Sequence, residues 1–129
     1  MKAFIGLIPI LVWFAMAGSA AYGQTTATGR VMRMKLTHSQ RILEAILTSD
    51  FALLQRESAA LARATELPGW SVLNSPEYQR QSAAFLRATR DLIEAAKERD
   101  LDAAATDYTA LTMSCYQCHR YMKNARIAR

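Results

Sequence analysis

The chain predicts an all-α domain, an antiparallel up-down-up-down four-helix bundle. Three observations carry that expectation. Apolar residues recur at helical spacing through four successive segments, short breaks containing Pro, Gly, Ser and Asp separate them, and the alternation and Asn-Gly or Asp-Gly turns of a β-sheet are missing. Helices joined by short loops lie antiparallel to their chain neighbours, and a bundle places any bound group between facing helices.

The first helix is expected over 29–48. Met32, Leu36, Ser39, Leu43 and Ile46/Leu47 follow one stripe, and Val31, Met34, His38, Ile42 and Ala45 form a second, weaker one. The first stripe is the expected inward face. Thr48-Ser49-Asp50 reads as a stop followed by a new N-cap. A second helix over 50–66 then buries Phe51, Leu54, Ala60, Leu61 and Ala64.

Pro68 and Gly69 end that helix, since neither propagates one well. Ser75-Pro76-Glu77 restarts the chain: Ser suits the N-cap, Pro the first helical position, and Glu the positive end of the helix dipole. The third helix covers 76–98, with Phe85, Leu86, Leu92 and Ile93 inward. Arg99-Asp100 is a tight connection. The fourth helix covers 101–124 through Ala104, Tyr108, Leu111 and Met113.

Ahead of the bundle, residues 1–23 read as a cleaved export signal. Lys2 supplies the positive start, Phe4 to Met16 an apolar run, and Ala17 to Ala21 a small-residue tail before Gly23. The run falls at or below the ~20 residues of a membrane span, so no span is expected after cleavage. Residues 24–129 then form one domain, and the expected location is the periplasm. The formal net charge of +5 is spread along helices rather than gathered in a stripe, which argues against nucleic-acid binding.

The chemistry concentrates in Cys115-Tyr116-Gln117-Cys118-His119. The chain has two Cys and two His, so this segment uses both thiols and one of the imidazoles. C-x-x-C-H is the attachment spacing of c-type haem, in which Cys115 and Cys118 add to the two vinyl groups and His119 ligates the iron. A redox dithiol and a structural zinc site are the alternatives. The first wants a βαβ context, and the second wants four ligands where only His38 remains.

Bundle geometry places the start of the first helix beside the end of the fourth, so the level of His119 falls near residue 34. Met32, Met34 and His38 are therefore the candidates for the far side of the iron. Met32 lies on the stronger apolar stripe with Ser39 as a small neighbour and is the leading candidate, although a Met at helical spacing is more often plain core filler. Trp70, Tyr78, Phe85 and Leu36 are candidates to pack the macrocycle, and Tyr116 and Gln117 to border it. Arg33, Lys35 and Arg120 are candidates for its carboxylates, with solvated surface positions as the plainer reading.

The arrangement resembles the cytochrome c′ family. Ser114-Cys115-Tyr116-Gln117-Cys118-His119-Arg120-Tyr121 is similar to that family's haem segment at the end of its last helix, and Leu67-Pro68-Gly69-Trp70 to its Leu-Pro-Trp segment. The resemblance covers residues 29–126, with a shortened connection between the first two helices as its departure. It implies one covalent haem c, His119 as proximal iron ligand, and either an open distal face that binds NO and CO or a Met-ligated iron that carries electrons. The first expectation is a one-electron carrier with His119 and Met32 on iron, meeting redox partner proteins. The alternative is a five-coordinate gas-binding protein. Homodimers are common in the family. Only His38 offers acid–base chemistry at a distal site, so no enzymatic activity is expected.

Overall fold

The computed structural model describes residues 26–127, with side chains through residue 125; the expected export signal over 1–23 lies outside the described residues. Four helices account for the fold: α1 Ala27–Thr48, α2 Phe51–Ala64, α3 Pro76–Glu98 and α4 Leu101–Ile127. Among the described residues there is no strand, and no helix is long and apolar enough to cross a membrane. The expected all-α four-helix bundle is the observed one.

Local chemistry sets the helix ends. Thr26 caps α1 by accepting a hydrogen bond from the Gly29 amide at 3.0 Å, which starts the helix ahead of Gly29. Ser49 closes α1 in the left-handed conformation, φ 56°, and the Asp50 amide donates back to the Ala45 carbonyl at 2.9 Å. Asp50 then caps α2 as its side chain accepts from the Leu53 amide at 2.9 Å. Arg99, φ 58°, and Asp100 repeat the device between α3 and α4. Two-residue connections of this kind reverse the chain, so these pairs run antiparallel.

α3 begins where Ser75-Pro76-Glu77 predicts, with the Ser75 hydroxyl accepting from the Tyr78 amide at 3.2 Å. α2 stops two residues short of the expected Glu66, because Thr65 and Leu67 already make the tighter bonds of a closing turn. α4 runs past the expected Asn124 to Ile127, since nothing in Lys123-Asn124-Ala125 breaks a helix.

Ile42, Leu54, Leu61, Leu92, Ala104 and Leu111 are fully buried and form the centre of the core, with Phe85, Ala45 and Trp70 around them. The face of α1 differs from the expectation. The weaker stripe turns inward at Val31, Ile42 and Ala45, while Leu36, Leu43 and Leu47 of the stronger stripe are 59%, 41% and 76% exposed. Met113 of α4 is exposed as well. The cause is the packing order: α1 lies on α2, α2 on α3 and α3 on α4, whereas α1 and α4 scarcely meet. The side of α1 that would close the ring against α4 therefore stays open.

Candidate functional site

Where the start of α1 passes the end of α4, the gap between them holds a hollow of about 540 Å³ lined by Thr26, Thr28, Gly29, Met32, Val72, Leu73, Met122 and Ala125 and, adjoining it, two hollows that reach His119. The larger of these two, about 520 Å³, is lined by Met32 and Lys35 of α1, Trp70, Val72 and Tyr78 of the α2–α3 side, and Cys118, His119 and Met122 of α4, with Thr28 and Lys123 at its edge. The smaller, about 270 Å³, is lined by Met32, Lys35, Leu36, Ser39, Cys115 and His119. Met32, Lys35 and His119 border both hollows, which are two lobes of one cleft.

The helical repeat explains why these residues converge. Met32 and Lys35, three residues apart, share a face of α1, as do Cys115, Cys118 and His119 on α4. Both cysteines are free thiols, half-buried at the cleft wall. Burial pushes the Cys118 thiol above its usual range, and the Cys115 thiol adds to this while the charge of Lys35 opposes it. His119 itself is exposed. Among the described residues, no three His, Cys, Asp or Glu side chains form a group that could hold a metal ion.

The far wall is built from α3 and the segment before it. The Trp70 indole donates to the Ser82 hydroxyl at 3.1 Å, and its ring lies 4.9 Å from that of Phe85. The Tyr78 hydroxyl donates to the Trp70 carbonyl, and burial pushes that phenol above its usual range. Ser75, besides capping α3, meets the Tyr121 hydroxyl at 2.9 Å and so ties the start of α3 to the end of α4. Gly69 is needed where this segment crosses α1: a Cβ there would fall 2.5 Å from the Ala27 carbonyl.

Of the three residues named from sequence for the side opposite His119, the structure brings one into the cleft. Met32 lines both lobes. Met34 instead borders a separate hollow with Leu67, Pro68 and Gly69. His38 turns to α2, where its Nδ1 meets Glu57 Oε2 at 2.6 Å. Glu57 is almost fully buried and also meets Arg56 and Arg41 at 3.1 and 3.4 Å. Burial pushes its carboxyl upward, but the hydrogen bonds from His38 and Arg56 and the charges of His38 and Arg41 win and hold it below the usual range. This cluster joins α1 to α2 and stands apart from the cleft.

Trp70, Tyr78 and Leu36, the candidates to pack the macrocycle, line the cleft, and Phe85 supports it from behind Trp70. Tyr116 and Gln117 face outward, and the Arg120 guanidinium lies over the Tyr116 ring at 5.6 Å. Arg33 is exposed. Lys35 corrects the plainer reading of a solvated surface cation. It is 8% exposed, and its ammonium nitrogen sits 4.4 Å from the Trp70 ring centre and 4.3 Å from that of Phe85. Its position in phase with Val31 and Ile42 was the available signal, masked by its charge. No family model, curated protein or solved structure matches the chain.

Proposed function

We propose that the chain is an exported c-type cytochrome of the cytochrome c′ kind, carrying one covalent haem c in the α1–α4 cleft and acting as a periplasmic one-electron carrier. The observation that carries this reading is the cleft itself: Cys115, Cys118 and His119 stand on one wall and Met32 on the other. The fit is chemical as well as spatial. Two thiols one helical turn apart suit two thioether bonds, the neighbouring imidazole suits an iron ligand, and the other wall is a thioether and aromatic rings. The larger lobe falls within the ~300–1,000 Å³ of cofactor pockets.

When bound, the haem supplies the one-electron couple. The residues of the chain do the rest. Cys115 and Cys118 would fix the group to α4, and His119 would hold the iron. Met32 offers a thioether from α1, a pairing with His that raises the reduction potential. Trp70 and Tyr78, each held by a hydrogen bond, keep the far wall rigid and keep water from it. Redox partner proteins are the proposed counterparts, reached through the exposed side of the cleft near His119.

The absorption spectrum of the purified holoprotein, with and without CO, tests the reading. A haem that survives denaturation, sharp low-spin bands in the reduced protein, and no prompt CO shift are expected. Met32→Ala should convert that spectrum to high spin and admit CO. A broad high-spin spectrum of the unsubstituted protein that shifts at once with CO would assign the cleft to NO or CO binding instead. Absence of covalent haem from protein exported with its maturation machinery would reject the cytochrome reading altogether.

A further inference from the structure

Among the described residues, Lys35 is the one charge set deep in the wall of the cleft. Its neighbours are rings rather than carboxylates, and among the described residues it has neither a hydrogen bond nor an ion pair. A buried cation without a counter-ion is costly, and evolution of a helix face seldom retains one where a Leu or Met would pack. Burial lowers the pKa of the Lys35 amine from its usual range, with the charges of Cys115 and Cys118 opposing, and the two aromatic faces offset part of the burial cost through cation–π attraction, which acts on the charged form of the amine and fixes where the charge sits. That place is the wall opposite His119, in both lobes of the cleft.

Resting on the cytochrome reading above, we propose that Lys35 is a positioning residue for charge: held by Trp70 and Phe85, its ammonium raises the reduction potential of the group bound in the cleft without ligating the iron. Reduction adds one electron to the iron and so lowers the net charge of the haem by one. A fixed cation nearby opposes the oxidised form, and because Lys35 is itself buried its influence is stronger than that of a charge at the surface. The cysteine thiols that now share the cleft with Lys35 become uncharged thioethers on attachment, so they do not cancel this field. The lysine stem contributes apolar packing along α1 while only its head carries charge.

The experiment is a spectroelectrochemical titration of the holoprotein and three variants. Lys35→Met keeps the unbranched stem and removes the charge, Lys35→Gln removes it while leaving a polar head, and Lys35→Arg keeps it on a group that cannot donate a lone pair. The two neutral variants should shift the oxidised-to-reduced equilibrium about tenfold toward the oxidised form, about 59 mV for one electron. Lys35→Arg should stay near the parent potential, and the spin state should be the same in all four proteins. Lys97→Met, at the other end of α3 and paired to Glu94 in solvent, should leave the potential unchanged. An unaltered potential in both neutral variants would overturn the proposal. So would loss of a low-spin spectrum in Lys35→Arg, which would make the amine itself an iron ligand. Lack of haem in the parent protein would instead reject the cytochrome reading.

Discussion

At the scale of single residues, the two histidines divide the labour. His119 stands free at the mouth of the cleft, while His38, by sequence a lesser candidate than Met32 for the far side, is held by Glu57 at 2.6 Å. That carboxylate meets two arginines and the His38 imidazole from α1 and α2, and its ionisation is tied to folding. Its folded-state value is depressed below the ordinary 4.5, so the stability it lends is fully present above pH 4.5 and fades as pH falls through the lower, folded value. Glu57→Gln should therefore melt at a lower temperature than the parent at neutral pH, and the gap should close on acidification. A gap that is constant from neutral to acid pH would show that packing, not charge, is what the variant removes. Lys35 teaches the same lesson from the other side. Its charge reads as surface in the sequence, yet two aromatic faces placed by distant segments draw it inside, and pairwise contacts of that kind leave no local pattern.

At the scale of the helices, the signals that were legible are the ones written within a few residues. Ser75-Pro76-Glu77 fixes the start of α3, and Thr48-Ser49-Asp50 fixes the α1–α2 turn, because caps are made by neighbours in the chain. The facing of α1 was not legible. Both of its stripes are apolar, and the choice between them depends on whether α4 closes the ring, a helix that begins only at Leu101. The spacing of Cys115, Cys118 and His119 survived this uncertainty, since one helix carries all three. Met32 survived it because it borders the core as well as the cleft. The α1–α2 turn also keeps a cost: Ser49 adopts φ 56° without being glycine, a conformation that strains an L-residue by about 1–2 kcal/mol. Ser49 is exposed, so Ser49→Gly should raise stability by about 0.5–1 kcal/mol after glycine's greater freedom in the unfolded chain is subtracted. Denaturant midpoints of the two proteins measure it, and a destabilised variant would mean that the Ser49 side chain does more than its exposure indicates.

At the scale of the whole molecule, the bundle is three sides of a square. α2 and α3 are packed on both flanks, α1 on one flank by α2, and α4 on one flank by α3, with α1 and α4 meeting only sparsely beside the cleft. Apolar side chains at Leu36 and Met32 face or border that gap, so the free chain leaves on α1 a surface that burial would stabilise at about 25 cal/mol per Å². A haem attached at Cys115 and Cys118 would span the gap and give α1 its second neighbour. Local openings of a fold are set by how many buried contacts each element makes, so the effect of attachment should be uneven. Native-state hydrogen exchange on the protein with and without haem should show the first turns of α1 and the last turns of α4 as the amides most slowed by attachment. α2, with the buried residues Leu54 and Leu61 already enclosed, should change least. The Cys115→Ala/Cys118→Ala protein supplies the haem-free state, with only the partly buried Cys115 contact to the core trimmed. Equal slowing across all four helices would indicate that the group stabilises the fold globally rather than by closing this side, and protection gained chiefly in α2 and α3 would place it elsewhere than between α1 and α4.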